Sequence, residues 1–242
     1  MSDAIASSGS VSVTFDDLLL RLKLGGEVSV ETLLMHRLAV SRAVAEGLTV
    51  TDEEIAAETS DLYAQLDLFE EAQVAAWLAR MHLTDAELER DVRDRLLIAA
   101  LRLHLVPDEL VDERFRASFH DYGTAAVEVL AFASQGAAAE LAIQVREGET
   151  TWGGAALRAA DVTGQILQRR HVPEEVASSL FAARPGTVVG PVENEEGRYA
   201  LYRIVFRRDA VLDDELRDTI RQELFHEVLR QELAKGPLKY LR

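Results

Sequence analysis

Six histidines, His36, His82, His104, His120, His171 and His226, are the side chains of this 242-residue chain best placed to move a proton near neutral pH. No two of them form an HxxxH or HExxH pair, so a metal site is not expected. Cysteine is absent, which excludes disulfides, zinc-thiolate sites and thiol nucleophiles. No GxGxxG, Walker or GxSxG motif occurs, and Gly153-Gly154 lacks the flanking context of a phosphate loop, so no cofactor is expected. Two other features could touch a ligand. His171 follows Arg169-Arg170 and could meet a carboxylate, against the blander reading of a solvated loop. Trp77 with Leu78 could line a cleft, although a tryptophan at helical spacing is more often core.

The elements that carry these residues change character near residue 121. Before it, helices follow one another through short loops. Thr14 with Asp17 opens the first, over Phe15, Leu18, Leu19 and Leu22, and Gly25-Gly26 ends it. A second opens near Ser29 with Leu33, Leu34 and Leu38 on one side, and Gly47 closes it. Capping boxes Thr51-x-x-Glu54 and Thr84-x-x-Glu87 start two more, the first over Ile55, Thr59, Leu62 and Leu66 and the second through Leu88, Val92, Leu96 and Leu103. A short helix with Val74, Trp77, Leu78 and Met81 lies between them. Pro107 restarts the chain in a helix with Val111, Phe115 and Phe119.

From Ala126 to Phe132 the chain is apolar and β-branched, as in a buried strand. A helical run from Ala137 to Glu147 ends at Gly148. Pro173 with Glu174 and Glu175 begins a helix whose apolar side is Val176, Leu180 and Phe181. A turn at Arg184-Pro185-Gly186, a strand, an acidic tip ending in Gly197 and a second strand through Val205 follow. Beyond Asp209 the series Leu212, Leu216, Ile220, Leu224, Val228, Leu229 and Leu233 marks one long amphipathic helix, stopped by Gly236-Pro237.

Residues 173–204 resemble the C-terminal half of a parvulin-type (PpiC-type) peptidyl-prolyl isomerase domain. The stretches EGLTVTDEEIAAETSDLY and MHLTDAELERDVRDRLLIAALR resemble the N-terminal region of SurA- and PrsA-type foldases. The resemblance implies an α+β protein. Residues 13–120 and 210–242 would form a helical chaperone core and residues 122–208 an inserted parvulin-like module, with residues 1–12 as a disordered tail.

The resemblance also implies a site: an apolar floor for a proline ring, two hydrogen-bonded histidines behind it and a Cys or Asp near the twisting carbonyl. Counted from Gly186, the floor falls on Val172, Val176 and Phe181. Counted from Gly197, the second histidine falls on Tyr199; counted from Gly148, the first falls on Val129, or on Leu130 one residue along. Asp161 is the only candidate for the acidic group. No histidine stands at either position, so no catalytic residue is assigned, and Val172, Val176, Phe181 and Tyr199 are the candidate peptide-binding residues.

The net charge of −16 argues against nucleic acid as a partner and favours basic ones through steering. The sequence lacks a signal-like apolar run and a membrane-length segment, which gives the expectation of a cytoplasmic protein away from membranes. The function expected is that of a peptide-binding chaperone or foldase with little isomerase activity. Its client would be an unfolded protein or a peptide, such as a ribosomally made precursor peptide whose maturation it assists. An active prolyl isomerase and a structural subunit of a peptide-modifying complex are the alternatives.

Overall fold

A computed structural model describes residues 4–25, 29–194 and 197–240. The chain divides into two compact units, residues 1–111 with 217–242, and residues 112–216. The first is mostly helical and the second is built on a four-stranded sheet, an α+β arrangement. The junctions expected near 121 and 209 fall instead near 111 and 216. The start of the helix after Pro107 belongs with the helical unit because Arg221 bonds both Asp108 and the Val106 carbonyl there.

The chain opens with β1 (Ala4–Ser8) and β2 (Val11–Thr14), then α1 (Phe15–Lys23), α2 (Val30–Ala45), α3 (Asp52–Gln65), α4 (Glu71–Met81), α5 (Asp85–Leu105) and α6 (Asp108–Ser118). Local chemistry sets most of these boundaries. Thr14, Thr51 and Thr84 each accept a backbone N–H from the residue three positions on, whose carboxylate accepts the threonine N–H in return. Gly25 stands just past α1 with φ +70°; Gly26, expected to share the stop, lies outside the described residues. Phe119, expected on α6, instead opens a 3-10 turn, Phe119–Tyr122.

Leu20, Ile55, Leu78, Leu83, Leu88 and Val92 form one buried cluster from α1, α3, α4, α5 and, through Leu83, the α4–α5 connection. Trp77 and Tyr63 pack at its margin, ring edge to ring face with centroids 6.4 Å apart, so Trp77 is largely a packing residue. Glu87 also receives a hydrogen bond from Lys23 Nζ at 2.7 Å, which joins the cap of α5 to the end of α1. Thr84→Ala is expected to cost about 1 kcal/mol, the usual worth of an N-cap side chain. A urea titration followed by circular dichroism measures it, and Thr84→Ser, which keeps the cap oxygen, is expected to retain most of the stability.

The second unit contains β3 (Thr124–Phe132), α7 (Gln135–Glu147), α8 (Trp152–Ala156), β4 (Asp161–Gln168), a 3-10 turn (Arg169–His171), α9 (Glu174–Ala182), β5 (Val188–Glu193) and β6 (Tyr199–Arg208). Its sheet has the order β4-β3-β6-β5 with every pair antiparallel. The acidic tip between β5 and β6 includes Glu195 and Glu196, which lie outside the described residues. Helices cover both faces. α7 packs on Leu130, Phe132 and Leu201, while α9 packs on Ala125, Val127, Val129, Ala200 and Ile204. Because side chains alternate along a strand, β3 and β6 supply both cores at once.

The last elements are α10 (Asp214–Leu233) and β7 (Leu238–Tyr240). Of the expected α10 series, Ile220 and Leu229 are buried, whereas Leu224 and Val228 are half-buried and Phe225 takes the core position between them. A strict four-residue step turns about 40° off the face each time, so burial must shift by one residue to stay inside.

β1 pairs with β2 and with β7 in a three-stranded antiparallel sheet, which corrects the disordered tail expected for residues 1–12. Ala6, Val11 and Val13 are buried there, and Gly9 makes the turn with φ +58°. The buried Ser8 Oγ donates to the carbonyls of Leu233 and Gly236. A β-carbon on Gly236 would lie 2.6 Å from the Gly9 nitrogen, so only glycine permits this approach.

Candidate peptide-binding site

The face of the sheet under α9 is where the parvulin resemblance puts a proline-binding floor. The register places Val129 opposite Tyr202, Val127 opposite Ile204 and Ala131 opposite Ala200. α9 starts after Pro173, with Glu174 and Glu175 in its first turn, and lays Val176, Ala177 and Leu180 onto this face. Val176 is 8% exposed, so it belongs to the core. Val172, Phe181 and Tyr202 are partly buried at the margin of the same cluster. The structure therefore brings Val172, Val176 and Phe181 together, with Val176 as packing and the other two as edge.

Tyr199 is not with them. It packs on the opposite face, against the cluster of Leu130, Phe132, Leu141 and Leu201. Neighbouring residues of a strand point to opposite faces and β6 is apolar on both, so a count from Gly197 does not tell which face Tyr199 takes. The tyrosine on the α9 face is Tyr202, three residues further on. The alternation that puts Ile204 inward would have pointed to it. Burial raises the pKa of the Tyr202 hydroxyl, which stays a neutral phenol able to donate a hydrogen bond.

Of the two candidates for the first histidine position, Val129 faces α9 and Leu130 faces α7. Neither the face under α9 nor β6 carries a histidine. The two histidines of this unit, His120 and His171, lie in the 3-10 turns. Asp161 begins β4 and is exposed; its Oδ1 accepts the Val162 N–H at 2.8 Å, a local contact. Among the described residues of this buried cluster, Tyr202 carries a hydroxyl that could polarise a carbonyl.

Phe181 also lines an open cleft of about 480 Å³ in the same unit, with Phe119, His120, Gly123 and Arg208 among its walls. Its charges are partly neutralised within the unit. Arg169 bonds Asp121 at 3.2 Å and Glu174 at 2.8 Å, and Arg207 donates to the Phe181 carbonyl. On the α7 side, Arg203 bonds Glu128 at 2.9 Å and lies over the Trp152 ring, 5.4 Å from its centroid, which fixes that face as structure. Among the described residues no cluster of His, Asp and Glu could hold a metal ion.

The unit is thus an antiparallel β4-β3-β6-β5 sheet with α7 and α8 on one face and α9 on the other. Residues 106–214 match the model of the PPIC-type PPIase domain. No curated protein sequence matches it significantly. Solved structures similar to it include PrsA from Bacillus anthracis (15% identity, 83% of this chain and 94% of that one, TM-score 0.47). PrsA from Bacillus cereus is similar at 15% identity over 97% and 89%, with a TM-score of 0.44. A structure of the SurA-like chaperones PEB4 and Cj1289 of Campylobacter jejuni is similar at 13% identity over 99% of both chains, with a TM-score of 0.38.

Proposed function

We propose that this protein is a peptide-binding foldase of the parvulin type that holds an extended or partly folded client and does little prolyl isomerisation. Its client would be an unfolded protein or a precursor peptide that a partner enzyme modifies. The observation that supports this reading is the α9 face of the sheet. Val129, at one position where the resemblance implies a histidine, stands opposite Tyr202 on this face with Ala200 beside them, and Tyr199, at the other such position, packs on the opposite face. Rotation about an X-Pro bond has a barrier of ~18–20 kcal/mol, and lowering it requires groups that stabilise the twisted imide. The partly buried edge formed by Val172, Phe181 and Tyr202 can touch a peptide without supplying them.

A protease-coupled assay on a proline tetrapeptide separates holding from catalysis. The expected result is the uncatalysed rate at every protein concentration, together with saturable binding of a fluorescent unfolded peptide. A clear acceleration that Tyr202→Phe abolishes would establish catalysis instead. Absence of binding to any peptide would favour a structural subunit.

A further inference from the structure

A groove of about 550 Å³ runs between α3 and α5 of the helical unit, and none of the residues discussed as a parvulin site lines it. Its floor is Ile55, Ala56 and Leu88, and Tyr63 closes one end. Asp52, Asp85 and Glu89 stand along its rim. The floor is firm: Ile55 and Leu88 are 5% and 2% exposed and belong to the main cluster of this unit. Trp77 braces Tyr63 from behind. From Asp52 to Tyr63 the groove follows about 16 Å of helix, which matches roughly five extended residues.

The rim carries more negative charge than its neighbours cancel. Arg93 bonds Glu89 at 2.9 Å and stands 3.9 Å from Asp52, so one cation serves two carboxylates. Asp85 has no ion pair among the described residues. The groove sits on a chain of net charge −16, whose field draws cations toward it.

We infer that the α3–α5 groove binds a short basic segment of the client, with a leucine- or phenylalanine-sized side chain on the Ile55–Leu88 floor and flanking Lys or Arg on the Asp52, Asp85 and Glu89 rim. This names the client chemistry and a second place of contact, and it rests on the reading that the protein holds peptides. Its charge selectivity does not depend on the parvulin unit.

Fluorescence anisotropy with the full-length protein tests it. The probes are a labelled peptide that alternates Lys and Arg with Leu and Phe, and the same peptide with Glu at the basic positions. The basic probe is expected to bind about tenfold more tightly at low ionic strength, with the ratio shrinking as salt is added. Asp85→Lys with Glu89→Lys, both at exposed positions, is expected to erase the ratio. Ala56→Trp, which fills the groove from another exposed position, is expected to weaken the basic probe with an unchanged circular dichroism spectrum. Equal affinity for the two probes, or a preference that survives both variants, overturns the groove while leaving peptide holding intact. Binding of neither probe overturns both.

Discussion

Lowering the pH from about 6.5 to about 4 is expected to remove about 3 kcal/mol from the stability of the helical unit that a His36→Gln variant does not lose. His36 lies on α2, and burial with the nearby Arg21 pushes its pKa from 6.5 down to about 4. Arg37 acts in the same direction, while Asp91 and Asp17 oppose it. Its Nε2 is buried without a hydrogen-bond partner, so the folded chain holds the imidazole neutral. In the unfolded chain the same ring protonates near 6.5. Between the two values the unfolded state therefore binds more protons, and stability falls as pH falls. Below about 4 both states are protonated and no further loss comes from this residue. A gap of roughly 2.5 units at 1.36 kcal/mol per unit gives the magnitude.

Asp94 works against this trend. Burial raises its pKa, so the folded state takes up a proton before the unfolded state does, which returns some stability on acidification. The lowered pKa values of Asp17 and of the capping residues Glu54 and Glu87 add losses at still lower pH. All four groups are common to wild type and variant, so the difference between the two proteins isolates His36. Urea unfolding at a series of pH values, read from Trp77 in a Trp152→Phe background, reports on the helical unit. Parallel curves for the two proteins would mean that the imidazole is free to protonate in place.

Helix boundaries were legible in the sequence because capping is local. Thr14, Thr51 and Thr84 each find their partner three residues away. The first two strands were not, because β1 is completed by β7 at the far end of the chain, and a run of Ala and Ser carries no sign of that partner. Burial on both faces hides the side to which each residue of β6 points, so the sequence does not separate Tyr199, which packs under α7, from Val172, Val176 and Phe181. The absence of a histidine at Val129, Leu130 and Tyr199 is read directly from the sequence. The α3–α5 groove had no sequence signal, since Ile55 and Leu88 read as ordinary core until the helices that carry them are seen to leave space above them.

Leu180→Ala is expected to destabilise the parvulin unit by ~2–5 kcal/mol, the range for deleting a fully buried leucine. Leu180 is 0% exposed and packs from α9 onto Ala125, Val127 and Ile204. The spread reflects how far α9 can settle into the space left. The same variant tests the assignment of faces in β6. Ile204→Val trims a residue of the same cluster, whereas Leu201→Val trims one under α7. Each Val substitution alone is expected to cost about 1 kcal/mol. Combined with Leu180→Ala, the Ile204 change is expected to depart from additivity by at least ~0.5 kcal/mol, and the Leu201 change to add within ~0.5 kcal/mol. If instead Leu201 coupled to Leu180 and Ile204 did not, the strand would be turned over. Tyr199 would then face α9, Tyr202 would face α7, and the tyrosine to test for peptide contact would be the one first counted from Gly197.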